Sequence, residues 1–202
     1  MNKKIPRVGI TGGIGSGKST VCRIFNEAFG IPVFDADFWA KQLINADPTL
    51  QRGIIEIFGP EAYDQEGVYN RPFVAKIAFS APEKLAALNA LVHPAVEAKS
   101  VAWHQQQSEL GCAYTLKEAA LLVESGGHLH LDFLIVVTAP EALRIQRVIA
   151  RDGLTEAQVQ ARIRGQLPES EKVKLADFVI ENDGTKLLLP QIWEVHQSIL
   201  NA

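Results

Sequence analysis

The sequence predicts an α/β fold: a five-stranded parallel sheet flanked by helices, carrying a helical insertion and a helical lid. Three observations predict it. Five short runs are rich in apolar or β-branched residues, helical patterns lie between them, and one long interval, about 45 to 111, has helical patterns without a strand of comparable strength. Strands alternating with helices demand crossover connections, and crossovers put helices on both faces of a parallel sheet.

The first strand is Arg7–Thr11, followed directly by a glycine-rich turn. Val21, Ile24, Phe25, Ala28 and Phe29 then recur at helical spacing, and Gly30 stands where a left-handed residue closes a helix. Residues 32–35 form the second strand. In the insertion, Ile54, Ile55 and Phe58 make one apolar patch and Leu85, Leu88, Leu91 and Val92 another. Gly59-Pro60 and the stretch from Asp64 to Gly67 punctuate it, and His93-Pro94 reads as a break between two helices, because proline fits a helix's first turn. The third strand is expected at 113–116, the fourth at Phe133–Thr138 and the fifth at 178–180. Between the last two, arginines 144, 147, 151, 162 and 164 mark a strand-free, basic interval. The expected domains are a nucleotide-binding core from 1–44, 112–143 and 173–202, a substrate-binding insertion at 45–111, and a lid at 144–172.

Composition narrows the function. In 202 residues, 47% are apolar and 21% charged, which is ordinary for a chain with one substantial core. A formal charge of −3 argues against a nucleic-acid partner, which calls for a basic surplus. The opening residues carry no signal-peptide pattern, and no segment has 18 uninterrupted apolar residues, so no membrane association is expected. Cys22 and Cys112 make no disulfide framework, which suits a reducing cytoplasm. His128 and His130 read as alternation in a loop before a strand rather than as a metal site.

The strongest motif is Gly12-Gly13-Ile14-Gly15-Ser16-Gly17-Lys18-Ser19, a full G-x-x-x-x-G-K-[ST] match between a strand and an amphipathic helix. Glycines let the loop curl so that successive N–H groups converge on phosphate, and the helix that follows aims its positive end at the same place. Lys18 can bridge the β- and γ-phosphates, and the Ser19 hydroxyl can ligate Mg²⁺. A dinucleotide fingerprint fails for want of its third glycine, and no guanine-reading Asn-Lys-x-Asp exists. The compact length, helical insertion and arginine-rich lid fit a P-loop kinase that uses ATP as phosphoryl donor.

Asp35 and Asp37 stand at the C-terminal end of the second strand, the edge where open α/β sheets bind ligands. While the chain stays extended they share a face, and Asp37 is the candidate for the proton of an attacking hydroxyl. Capping of the next helix is the competing role. Glu118 is a candidate metal-orienting acid after the third strand. Arg147 and Arg151, one helical turn apart, either neutralise phosphoryl charge or form a solvated face. Glu124 follows the apolar Leu121-Leu122-Val123.

The combination resembles the dephospho-coenzyme A kinase family over nearly the whole chain. The motifs that carry the likeness are residues 11–20, Asp35-Ala36-Asp37, Asn70-Arg71, His93-Pro94, 121–124, Arg147 with Arg151-Asp152, and Ala176-Asp177 with Asn182, all in family order. The resemblance implies ATP- and Mg²⁺-dependent phosphorylation of the ribose 3′-hydroxyl of dephospho-coenzyme A, a small-molecule substrate, with no obligate protein partner evident. It implies that Asp37 is the catalytic carboxylate and that Lys18 with Arg147 or Arg151 stabilises the moving phosphoryl group. It further implies that the loop from Gly12 to Thr20, with Asn182, holds the nucleotide, and that Ser19 holds the metal, for which Glu118 is the candidate partner by position. Asp35, Arg71, His93 and Glu124 would face the acceptor. Ala120 stands where the family usually has proline, and Glu118 where aspartate is common. Another acceptor on the same fold, or a nucleotide-dependent switch, are the alternatives at this level.

Overall fold

The computed structural model describes residues 5–202. These divide into two compact units: residues up to Asp35 together with His104–Ala202, and Ala36–Trp103.

The first unit holds a five-stranded, all-parallel sheet in the order β2-β3-β1-β4-β5. Its strands are β1 (Arg7–Thr11), β2 (Val33–Asp35), β3 (Thr115–Glu118), β4 (Phe133–Thr138) and β5 (Phe178–Glu181). β4 reads FLIVVT with its four middle residues buried, as a strand covered on both faces should. On one face Val8, Ile10, Leu116, Ile135, Val137 and Ile180 pack against α1 (Lys18–Phe29) and the helix that closes the chain, Leu188–Leu200. On the other face Leu134 and Val136 meet Leu122 and Val123. α1 stops where the sequence places its end. Gly30 adopts φ 66° and its N–H bonds back to Asn26 O, while Ile31 N reaches Phe25 O.

The third strand lies later than the sequence suggests. Thr115–Glu118 forms the ladder, with Lys117 opposite Gly9 and Phe34. Two charged residues in a row mimic a loop, yet Lys117 is 8% exposed because β3 runs between β2 and β1.

The second unit is helical. It contains α2 (Ala36–Ala46), α3 (Pro48–Phe58), α4 (Arg71–Ser80) and most of α5 (Pro82–Glu109). Asp47 caps α3 by accepting from Thr49 N at 2.7 Å and Leu50 N at 3.3 Å, with Pro48 opening the helix. Asn70 caps α4 through Phe73 N at 3.2 Å. Leu50, Ile54 and Phe58, at helical spacing, carry α3's buried face. The break expected at His93-Pro94 is absent: α5 runs through it with Pro94 inside. Proline leaves the carbonyl four residues earlier without its helical N–H donor, a local loss that a helix of 28 residues absorbs.

Further along the first unit, α6 (Glu141–Asp152), α7 (Glu156–Arg164) and α8 (Glu169–Lys174) fill the basic interval, and the closing helix is α9. Thr155 starts α7 with a full capping box to Gln158. No helix of the described residues is long and apolar enough to cross a membrane.

Candidate active site

β1 ends at Thr11 and α1 begins at Lys18, so the glycine-rich loop lies at the C-terminal edge of a central strand. Two of its glycines are required by what surrounds them. Gly17 caps α1 at φ 93°, where a side chain is strained, and a Cβ there would stand 2.1 Å from Asn182 Nδ2. At Gly13 a Cβ would stand 1.9 Å from an Arg144 nitrogen. The loop is also bonded internally, Ser16 N to Gly13 O at 3.1 Å. Lys18 folds back over it, donating to Gly12 O at 3.0 Å and Gly13 O at 3.4 Å.

Ser19 Oγ donates to Glu118 Oε1 at 2.7 Å. The residue beside Glu118 across the ladder is Asp35, so two carboxylates occupy neighbouring strand ends. A hydroxyl and a carboxylate in contact, with a second carboxylate next door, are hard oxygen donors of the kind Mg²⁺ takes together with phosphate oxygens. The residues fit that ion. Under them lies Cys22, 3% exposed; burial and the adjoining Glu118 push its thiol far above the usual range.

Asp35 and Asp37 do not share an extended face. β2 ends at Asp35 and α2 starts at Ala36, placing Asp37 in the first turn of a helix, where a negative charge also suits the helix dipole. The alternation of faces stops at Asp35 because the extended segment is three residues long.

The arginines separate. Arg147 Nη1 donates to Gly15 O at 3.5 Å and its Nη2 to Asn182 Oδ1 at 3.2 Å, while Asn182 Nδ2 donates to Ser16 O at 2.8 Å. One amide thus straps an arginine of α6 to the phosphate loop. Arg151 is paired with Asp152 at 2.7 Å and 3.0 Å. Thr20 lies exposed on α1.

Glu124 is held within the fold: its Oε1 accepts from Leu167 N at 2.9 Å and faces Lys172 Nζ at 2.7 Å. Arg71, first residue of α4, and His93 on α5 are exposed residues of the helical unit.

Three residues that spacing did not single out lie against this centre or behind it. Arg144, 6% exposed, lies against Gly13 and pairs with Glu141 at 3.7 Å. Gln166 Oε1 accepts from Ile14 N at 2.8 Å. Lys172 is fully buried behind Glu124. Arg144 was visible as one of a run of arginines, but nothing in the run distinguishes the buried one. A cleft of about 740 Å³ opens beside the loop, lined among others by Gly13, Arg144, Arg164, Gln166, Glu181 and Asp183, a size suited to a small molecule.

A parallel sheet with this loop at its edge, an arginine laid across it and an acid touching the loop's serine define a P-loop phosphotransferase. The sequence profile of the dephospho-CoA kinase family matches residues 7–187. The chain belongs to that family. It is similar to the dephospho-CoA kinase of Chlorobaculum tepidum, with 43% identity over 208 positions, covering 100% of this chain and 99% of the other. A crystal structure from Thermus thermophilus superimposes with a TM-score of 0.86 at 36% identity, covering 99% of this chain and 100% of that one. The dephospho-CoA kinase from Campylobacter jejuni gives 0.71 at 28% identity, covering 96% and 97%.

Proposed function

We propose that this chain transfers the γ-phosphoryl group of ATP to the ribose 3′-hydroxyl of dephospho-coenzyme A, giving coenzyme A and ADP. The observation that carries the reading is the contact of Ser19 Oγ with Glu118 beside a complete phosphate loop, in a chain of the dephospho-CoA kinase family.

The loop's N–H groups and the α1 N-terminus hold the β-phosphate, and Lys18 leaves its carbonyl partners to meet the γ-phosphate. Ser19 and Glu118, with Asp35 beside them, would hold Mg²⁺, which would supply positive charge to offset that of the phosphates. Arg147, already fixed to the loop through Asn182, offsets charge on the transferring group, with Arg151 joining it on exchange of its Asp152 partner. Asp37 takes the acceptor's hydroxyl proton as its oxygen bonds to phosphorus, and the bond from phosphorus to the ADP oxygen breaks. Arg71 and His93 in the helical unit serve acceptor binding, a role supported by their match to the family's motif order. Two buried or half-buried thiols without a disulfide suit the cytoplasm.

The test is ADP release from Mg-ATP with dephospho-coenzyme A, adenosine, AMP, shikimate or gluconate as acceptor. Stimulation by dephospho-coenzyme A alone, with coenzyme A as product, is the expected result. Stimulation by another acceptor would keep the kinase and reject the substrate.

A further inference from the structure

The phosphate loop is braced from outside its own strand and helix. Ile14 N–H, near the crest of the loop, is given to Gln166 Oε1 at 2.8 Å. The next residue, Leu167, gives its N–H to Glu124 Oε1 at 2.9 Å. That same oxygen faces Lys172 Nζ at 2.7 Å, and Lys172 also donates to Ala120 O at 3.4 Å. Ala120 O in turn receives Thr11 Oγ1 at 3.4 Å, at the end of β1 where the loop begins. The path closes on itself, from Ile14 through Gln166, Leu167, Glu124, Lys172 and Ala120 back to Thr11.

We propose that Lys172 is a positioning residue for the nucleotide site: its pairing with Glu124 fixes the segment 166–172 so that Gln166 holds Ile14 N–H and sets the loop for phosphate. Lys172 is 0% exposed. A fully buried ammonium is retained only where partners compensate its lost hydration, and here the partners are the two groups that locate the segment. The loop needs such a brace. It contains Gly12, Gly15 and Gly17 at positive φ, so unaided it has many conformations to lose on binding. Gln166 has a neutral amide and an oxygen acceptor, able to hold an N–H without repelling a phosphate as a carboxylate would. Lys172 acts on the loop at a distance, through Glu124 and Ala120. That role rests on the reading of the loop as an ATP site.

The experiment is a double-mutant cycle between Lys172→Met and Gln166→Leu, read by titration with a non-hydrolysable ATP analogue and Mg²⁺, and by exchange of the Ile14 amide proton. Each single variant is expected to weaken analogue binding about tenfold and speed Ile14 exchange about tenfold or more, leaving β4 amides unchanged. In the Gln166→Leu background, Lys172→Met should add less than about twofold. Should Lys172→Met fail to fold, Lys172→Met with Glu124→Gln removes both charges together and takes its place in the cycle. Independent, multiplying effects, or a folded Lys172 variant with unaltered Ile14 exchange, would overturn the proposal. No acceptor is present, so a wrong acceptor does not enter the result; failure of the unaltered chain to bind the analogue would instead overturn the ATP reading and the brace with it.

Discussion

Ser19 and Glu118 meet at 2.7 Å across two elements, the first turn of α1 and the end of β3. The parallel pairing of β1 with β3 sets that distance, because it brings Glu118 level with Ile10, just before the loop. If the pair holds Mg²⁺, Glu118→Gln should raise the Mg²⁺ concentration for half-maximal turnover about tenfold or more. Nucleotide binding measured with chelator should stay within about twofold, since the loop's N–H groups are untouched. An unchanged Mg²⁺ requirement would remove Glu118 from the ion's surroundings.

Asp37→Ala should retain ATP binding and lose turnover by about 10²-fold or more, the scale of acid–base contributions. Asp37 sits in the first turn of α2, so a small stability loss from the helix dipole is also expected, and the denaturation midpoint of the same variant separates it from the loss of turnover. Turnover like that of the unaltered chain in Asp37→Ala would place the proton elsewhere.

Gly17→Ala puts a methyl group at φ 93° and 2.1 Å from Asn182 Nδ2. The left-handed backbone alone costs about 1–2 kcal/mol for an L-residue. Displacing Asn182 also unties Ser16 O and Arg147. ATP affinity should fall at least about tenfold. Adding Asn182→Ala should return only part of it, because the collision is relieved and the backbone strain is not; calorimetric titration of the three variants checks this.

Asp183 accepts from the N–H groups of Thr185 and Lys186, which hold its carboxyl at about 2 against an ordinary 3.8. A depressed carboxyl stabilises the folded chain above its unfolded value and loses that contribution as pH falls. The loss should therefore run from about pH 4 down to pH 2. Denaturant midpoints of the unaltered chain and Asp183→Asn should converge across that window. Parallel curves down to pH 2 would show the turn gives Asp183 no such linkage.

The phosphate loop is legible because its physics is local: eight consecutive residues carry the curl, the charge and the hydroxyl. The runs that form β1 and β4 are legible for the same reason, and Gly30 ends α1 by its own backbone. What escaped depends on neighbours distant in sequence. Lys117 reads as solvent-facing until the sheet order puts a strand on each side of it. Pro94 reads as a break, yet the helix continues through it. Gln166 reaches the loop, and Lys172 reaches Glu124 and Ala120, only once the segment after α7 folds back, and no spacing announces that return. Arg147 and Arg151 look equivalent one turn apart, and are told apart by Asn182 and Asp152 as partners.

The burial of Cys22 gives the molecule an internal gauge. Its thiol lies under Glu118, 3% exposed and held well above the range in which thiolate forms at neutral pH, so electrophiles find neither access nor a nucleophile while the sheet is intact. Cys112 is half-buried and within reach. Alkylation therefore separates into a faster event at Cys112 that counts all chains and a slower one at Cys22 that counts openings of the nucleotide core. Ligands that tighten the phosphate loop will announce themselves as a slower second label, with no need to follow catalysis at all.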